Sequence, residues 1–262
     1  MKEGGFNRVF IPTMDSGSLV VARLPTGIAG PPKLKTNSEV AAMTYLRSKT
    51  TLPIPKVLDW SDDPSNAIGA EYIIQEHVSG VQLHEAWPNM NSEQHMLCTK
   101  ALSLALQKIA ALDFPAYGST YFSNADGPGP LDSYRTTPLG EGFCVGSNCS
   151  PVFGIGIPGS WNCANPGDSL ASYCQGLIET GSSRLPKPDA VNRELPHQGS
   201  IQDHIRLLQI SHKVMQRLIQ DKRIQDAATP VLLRPDFHKR NIYVSAEDPT
   251  VITGLIDWLN EH

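Results

Sequence analysis

The sequence has 262 residues, of which 40% are hydrophobic and 18% charged, enough for one large or two small globular domains with a substantial core. A formal net charge of −4 and a pI near 6.0 argue against nucleic acid and anionic membrane surfaces as main partners, which leaves small molecules and proteins. No apolar run reaches the ~18 residues that a membrane span requires, and the first residues show neither a signal-peptide core nor an Arg-rich transit pattern, so we expect no span and no targeting segment in this chain.

The N-terminal segment is predicted to form a small sheet with one helix. Residues 6–25 have the pattern of two short strands joined by a turn at "DSG", because apolar and β-branched residues flank a turn cluster. Thr36 with Glu39 three positions later matches a capping box ahead of apolar residues at helical spacing, which predicts a helix of roughly three turns. The stretches "IPKVLDW" and "AEYIIQEHV" flank a turn-rich segment and predict two further strands.

From about residue 92 the apolar pattern changes to helical periodicity. The predicted apolar stripe of this helix consists of Leu97, Ala101, Leu104 and Ile109. Two further helices are predicted at residues 169–181 and 201–224.

Residues 113–168 are rich in Gly, Pro, Ser and Asn, and we predict loops there, with room for one hairpin. Within them "GIGIPG" at 154–159 fits GxGxxG, but Pro158 and the following "SWNCANPG" predict no helix that could hold a pyrophosphate. The five cysteines of the chain form no CxxC pair, which favours reduced structural thiols over a zinc ribbon or a disulfide framework.

The C-terminal stretch "LLRPDFHKRNIYVS" sets Asp236 between two apolar runs that have the pattern of strands, and Asn241 follows five positions later. Asp257 ends another apolar run in "GLIDW". Phosphoryl transfer needs a carboxylate that deprotonates an acceptor hydroxyl, and carboxylate and amide oxygens that bind Mg²⁺ on nucleotide phosphates. The spacing fits Asp236 as the base, with Asn241 and Asp257 as metal ligands. Each residue alone would more often be a turn or capping residue, but the combination favours catalysis.

These motifs resemble the aminoglycoside phosphotransferase-like family of the protein-kinase-like fold, above all its fungal members and their altered inheritance of mitochondria phosphotransferase-like group. The similarity covers most of the chain, in the order "EGGFNRVF", "VVARLP", "SEVAAMTYLR", "IPKVLDW", "GAEYIIQEHVSGVQL", "FPAYGSTYF", "PDFHKRNIYVS" and "TGLIDW". The resemblance implies a bilobal α+β fold. Residues 1–78 would be a nucleotide-binding lobe with a small antiparallel sheet and one helix, and 79–262 a mainly helical catalytic lobe with a loop-rich insertion at about 113–168.

The resemblance also implies that "EGGFNRVF" is the loop over the nucleotide phosphates. Gly4 and Gly5 would allow the backbone to approach the phosphates closely, and Phe6 and Asn7 would complete the loop. The alternative is an ordinary lead-in to the hairpin.

Three more nucleotide contacts follow from the resemblance. Arg23 occupies the position of the family's phosphate-binding lysine, and Glu39 that of the helix glutamate which pairs with this cation. Gln75 to Val78 would be the hinge between lobes, where Glu76 and Val78 receive adenine. The alternative is that Arg23 and Glu39 are ordinary charged residues on the solvent-exposed faces of a strand and a helix.

The chain departs from the family pattern at three places. Arg23 replaces the lysine, and it is not a geometric copy of one. Arg234 replaces a histidine two positions before Asp236, where a guanidinium would stabilise the charged carboxylate and weaken it as a base. The chain also starts close to the glycine loop and stops five residues after Asp257, so we expect a sequence truncated at both ends.

The resemblance predicts an ATP- and Mg²⁺-dependent phosphotransferase that acts on a hydroxyl of a small molecule, with protein as a less favoured acceptor. The alternative is a catalytically weak or inactive kinase-like protein that binds nucleotide or a partner. An intracellular location is expected, mitochondrial by resemblance and otherwise cytoplasmic.

Overall fold

The computed structural model describes residues 2–3, 7–26, 33–123, 136–149, 167, 169–185, 200–233 and 237–258. Its strands are β1 Lys2–Glu3, β2 Asn7–Phe10, β3 Val20–Pro25, β4 Val57–Ser61, β5 Tyr72–Glu76, β6 Val81–Gln82, β7 Ser119–Phe122, β8 Thr137–Gly140, β9 Phe143–Gly146, β10 Ile242–Val244 and β11 Ile252–Leu255. Its α-helices are α1 Leu34–Lys49, α2 Leu83–Ala86, α3 Ser92–Ala110, α4 Leu170–Ser183, α5 Ile201–Leu218 and α6 Lys222–Ala227. Short 3₁₀ helices cover Trp87–Asn89 and Lys239–Asn241.

The N-terminal strands form a five-stranded antiparallel sheet in the order β1-β2-β3-β5-β4. β2 and β3 pair from Asn7 opposite Pro25 to Phe10 opposite Ala22, so the predicted hairpin is confirmed. β4 and β5 confirm the two further strands. The α+β class with an N-terminal antiparallel sheet is therefore correct.

The helix α1 begins earlier than its sequence signature indicates. It starts at Leu34, after Lys33, whose φ is 66° and whose side chain makes no capping hydrogen bond. Thr36 lies inside the helix and its Oγ1 donates to Oε2 of Glu71 at 2.6 Å, while Glu39 contacts Arg23. The capping-box prediction is wrong because tertiary partners recruit both polar side chains of the signature.

A second sheet, in the order β7-β9-β8, packs on α1 from the region predicted to be mostly loop. β8 and β9 form the one hairpin that the sequence allowed in this region. β7 is an additional strand, which was not predicted and which pairs with β9. Aromatic rings join this sheet to the helix, because Tyr45 of α1 contacts Phe143 of β9 at a centroid distance of 5.3 Å. Tyr45 also contacts Phe114, in the segment before β7, at 5.7 Å.

Contacts with both sheets explain the burial of α1. A helix on the surface of one sheet buries a single stripe, whereas every residue from Leu34 to Met43 is buried here. The amide N–H of Phe122 on β7 also donates to Oδ1 of Asn37 at 3.3 Å. The helix that carries Glu39 is thus held from two sides.

The main hydrophobic cluster joins α1 to the C-terminal part of the chain. Its members include Met43, Leu46, Leu83, Cys98, Ala105, Ile109, Ile242, Val244, Leu255 and Trp258. The helix α3 confirms the predicted helix, but the stripe was only partly right, because Leu97 and Leu104 are 41% and 49% exposed. Cys98 and Ala105, adjacent to them in sequence, pack into the core instead.

The predicted strand before Asp236 is not formed by the described residues 228–233. Pro230 has no N–H for a strand ladder, and Val231 and Leu233 are exposed rather than packed against a partner strand. β10 and β11, by contrast, confirm the last two strands and form a third sheet in the order β11-β10-β6. Among the described helices none is long and apolar enough to cross a membrane.

Candidate functional site

Arg23 connects three parts of the fold. Its side chain is buried, and its two terminal nitrogens contact Oε1 of Glu39 on α1 and, at 3.2 Å, Oδ1 of Asp257 just after β11. The predicted Arg23–Glu39 contact is therefore present. Asp257, which lies 234 positions after Arg23 in the sequence, also contacts Arg23. A single guanidinium links the N-terminal sheet, the helix and the C-terminal strand pair.

Burial and charge act in opposite directions in this cluster. Burial would lower the pKa of Arg23, but the charges of Glu39 and Asp257 raise it above its ordinary value, so the guanidinium stays protonated. Burial raises the pKa of the Glu39 carboxyl, while Arg23 opposes that rise. A buried charge is tolerated only with partners of this kind.

Asp257 has a left-handed backbone conformation, with φ of 64°. A non-glycine residue in this region costs about 1–2 kcal/mol, and such residues concentrate at functional sites where the surroundings hold them in place. The flanking backbone supplies that hold, because Leu255 N–H donates to Pro53 O at 2.9 Å and Ile256 N–H to Asn241 O at 3.0 Å.

The two predicted metal ligands lie on neighbouring segments. Asn241 ends the 3₁₀ helix Lys239–Asn241, and its carbonyl accepts the hydrogen bond from Ile256, the residue before Asp257. The Asp257 side chain is 31% exposed, so part of its carboxylate can reach a ligand in solvent. An amide and a carboxylate fit Mg²⁺, which takes only one or two protein ligands when phosphates supply others.

The predicted adenine hinge lies against β11. Val78 packs on Gly254, where an added Cβ would lie 2.2 Å from Cγ1 of Val78. Thr253 Oγ1 donates to the Ser79 carbonyl at 2.7 Å and ties the same segments. The hinge region is thus positioned directly by the strand that leads to Asp257.

Glu76, at the end of β5, forms hydrogen bonds with the backbone of Lys56 through both its N–H and its carboxylate. Its N–H donates to the Lys56 carbonyl at 2.9 Å, and its carboxylate accepts from the Lys56 N–H at 3.0 Å. A role of Glu76 in adenine binding would therefore fall to its backbone carbonyl.

We expect Gly254→Ala to lower the free energy of unfolding by about 1–3 kcal/mol, the usual cost of overpacking, and to weaken nucleotide binding by displacing Val78. Urea unfolding and nucleotide titration measure the two effects. The matched control is the double variant with Val78→Ala, which removes the two methyl groups nearest the added Cβ and leaves the Val78 Cβ at 3.0 Å, so it should recover part of the stability. A single variant as stable as the unmodified chain would contradict the prediction.

Several predicted site residues lie outside the described residues, namely Gly4, Gly5, Phe6, Arg234 and Asp236. Asn7, the last of the predicted glycine-loop residues, is buried at the start of β2 opposite Pro25. Gln75, the first residue of the predicted hinge, is buried. Sequence reasoning missed Lys35, which is also buried near the site segments. The spacing of Lys35, four positions before Glu39, was the available signal.

Residues 3–260 match the phosphotransferase enzyme family, which is nearly the whole chain. The chain belongs to this family. The matched range includes Arg23, Glu39 and Asp257.

Two fungal proteins illustrate what this chain is similar to in sequence. A subtelomeric hrmA-associated cluster protein of Aspergillus fumigatus is 39% identical over 153 residues, which cover 58% of this chain and 29% of that protein. Altered inheritance of mitochondria protein 9, mitochondrial, of Lodderomyces elongisporus is 25% identical over 94% of this chain and 43% of its own length. The chain thus spans less than half of the length of these two relatives.

Solved structures of aminoglycoside phosphotransferase APH(4)-Ia have a similar fold. A ternary complex with ADP and hygromycin B gives a TM-score of 0.51 at 15% identity, covering 98% of this chain and 64% of that one. A second complex, with AMP-PNP and hygromycin B, also gives 0.51, at 16% identity and with the same coverage. The fold is that of the kinase-like aminoglycoside phosphotransferases.

Proposed function

We propose that this chain binds ATP with Mg²⁺ and transfers the γ-phosphoryl group to a hydroxyl of a small molecule. The observation that carries the proposal is the contact of Arg23 with both Glu39 and Asp257, which joins the predicted nucleotide lobe to the predicted metal ligands. Family membership over residues 3–260 supports the same reaction class. The ADP and AMP-PNP of the APH(4)-Ia structures support a nucleotide as the donor.

The proposed roles follow from the chemistry of phosphoryl transfer. Asp236 orients the acceptor hydroxyl and accepts its proton, while the predicted glycine loop and hinge hold the nucleotide. Asn241 and Asp257 would hold Mg²⁺, which neutralises charge on the phosphate oxygens. The β10–β11 sheet fixes the two ligand-bearing segments relative to each other.

A second candidate function is nucleotide or partner binding without transfer. It is favoured by the 3.2 Å contact of Arg23 with Asp257, because a carboxylate neutralised by a guanidinium is a weaker metal ligand. Only the first function includes turnover, so a phosphorylation screen of a metabolite pool separates the two.

Mg²⁺-ATP is expected to raise the melting temperature of the chain, since a ligand confined to the native state stabilises it by mass action. Asp257→Asn should reduce the Mg²⁺-dependent part of this shift, because an amide oxygen without charge binds Mg²⁺ more weakly than a carboxylate, and asparagine is among the residues that best tolerate a positive φ. Thermal unfolding with ATP, with and without Mg²⁺, measures both. Asp248→Asn, at an exposed turn, is the control. The absence of any shift at millimolar nucleotide would count against the nucleotide site.

We also propose a mitochondrial location, on the ground that the Lodderomyces relative is named as mitochondrial. Fractionation of cells that express the natural gene product tests it, and a signal confined to the cytosolic fraction would contradict it.

A further inference from the structure

The segment that follows the predicted hinge packs against the short 3₁₀ helix that ends in Asn241. Its first part, β6, pairs with β10, and Gln82 lies opposite Tyr243. The Gln82 side chain also contacts the 3₁₀ helix, because its Nε2 donates to the Arg240 carbonyl at 2.9 Å. Arg240 precedes Asn241 in this helix, so the hydrogen bond holds the backbone next to a predicted metal ligand.

A second contact joins the same two segments. Lys239 Nζ lies over the Trp87 ring, 4.7 Å from its centroid, within the range of a cation–π interaction. Trp87 begins the 3₁₀ helix after α2, and Lys239 begins the one that ends in Asn241. Both residues are partly buried, which strengthens the attraction between the ammonium group and the ring.

Trp87 is itself anchored on α3. Its ring contacts the His95 ring at a centroid distance of 4.4 Å. Its carbonyl oxygen lies 2.9 Å from His95 Nε2, and because a carbonyl only accepts, this nitrogen is the donor. Trp87 also packs against the main hydrophobic cluster. The Lys239 ammonium group therefore contacts a ring that is held from several sides.

The 3₁₀ helix Lys239–Asn241 needs contacts of this kind to keep its shape. A 3₁₀ turn has poorer hydrogen-bond geometry than an α-helical turn. The backbone of Asn241 is bonded on two sides, because its N–H donates to the His238 carbonyl at 2.8 Å and its carbonyl accepts from Ile256 N–H at 3.0 Å. Gln82 and Trp87 add contacts to the two residues that precede it.

We propose that Gln82, Trp87 and Lys239 are positioning residues that hold Asn241 where its side chain can bind Mg²⁺. The inference rests on the proposed function, in which Asn241 is a metal ligand. The three side chains act through the backbone of residues 239–241. A ligand binds more weakly when the competent conformation is less populated, so loosening this turn weakens Mg²⁺ binding and leaves metal-free nucleotide binding unchanged.

A lysine that acted only through its charge would have the opposite effect. Its ammonium group would repel Mg²⁺, so Lys239→Met would strengthen the metal-dependent binding. In the positioning role the same variant weakens it. Trp87→Leu keeps the ammonium group and removes the ring, and it should give a loss similar to that of Lys239→Met. Lys239→Arg should retain the binding, because a guanidinium also stacks on an aromatic face.

The test is a calorimetric titration of the 262-residue chain with ADP in Mg²⁺ and in EDTA, and the ratio of the two affinities is the metal-dependent gain. Gln82→Met should lower this gain roughly 2- to 10-fold, the range of one neutral hydrogen bond, and Lys239→Met roughly 2- to 5-fold. Both variants should bind ADP in EDTA like the unmodified chain. Gln225→Met, which removes a similar bond from Gln225 Nε2 to the Ile219 carbonyl at 3.0 Å, should change neither affinity.

The outcomes separate this inference from the proposed function. An unchanged gain in Gln82→Met and Lys239→Met, or a larger gain in Lys239→Met, would overturn the positioning role and leave the nucleotide site standing. An equal loss of affinity in Mg²⁺ and in EDTA would assign these residues to the fold instead. If the unmodified chain bound ADP with no gain from Mg²⁺, the metal ligands and this inference would both be wrong. If it bound no ADP at all, the nucleotide site would be wrong as well.

Discussion

Asp236→Asn is expected to bind nucleotide normally and to lose turnover by roughly 10²-fold or more, because general-base catalysis commonly contributes a factor of this size. The substitution keeps the shape of the side chain and removes its ability to accept the hydroxyl proton. It requires an acceptor from the metabolite-pool screen, after which transfer is measured with radiolabelled ATP.

Residues that follow position 236 in the sequence indicate that this variant should fold. Phe237, the next residue, packs against the main hydrophobic cluster, and Asn241 leads directly into β10. Both anchors are independent of the charge at position 236, so the variant should fold. Asp226→Asn, at an exposed ion pair on α6, is the matched control. Equal turnover in Asp236→Asn and the unmodified chain would remove Asp236 from the proposed mechanism.

Local pattern was sufficient for the elements whose neighbours lie close in sequence. The β2–β3 hairpin needs only apolar runs around a turn, and α3 begins with a capping box formed by Asn91 and Gln94. These features are encoded within a few residues. The same local rules failed at Thr36, because Glu71, from a distant segment, competes for its hydroxyl.

The second sheet contains the hairpin β8–β9 that the sequence allowed and one strand, β7, that the sequence pattern did not predict. β8 contains Pro138 and Gly140, which weaken the strand pattern, and β9 is buried at every position instead of alternating. β7 pairs with β9 across more than twenty residues, so no short turn marks the pairing. The contact of this sheet with α1 explains why its strands carry buried residues, and the local sequence pattern does not show that contact.

Family resemblance, rather than residue spacing, indicated the first part of the predicted site. It implied that Arg23 and Glu39 pair, and the structure places these two side chains in contact. The link from Arg23 to Asp257 spans the whole chain, and no spacing rule could indicate it. Lys35 lies one position before the predicted start of the helix, and the sequence does not show that a second sheet covers α1.

Breaking the Arg23–Glu39 pair from one side is expected to lower the free energy of unfolding by about 3–5 kcal/mol, because the remaining charge stays buried without its main partner. Arg23→Met and Glu39→Leu are the two single variants, and urea unfolding measures their stability. Lys49→Met, which removes a partly exposed ion pair with Glu141, should cost no more than about 1 kcal/mol and serves as control.

The double variant Arg23→Met with Glu39→Leu separates stability from function. Apolar replacement of a whole buried ion pair is often neutral, so most of the stability lost in each single variant should return. Nucleotide binding should not return with it, because Asp257 then lacks the guanidinium that contacts it. Recovery of both properties would show that the pair only fills the core. Recovery of stability alone would mean that the chain keeps a costly buried ion pair because it positions the groups that bind nucleotide.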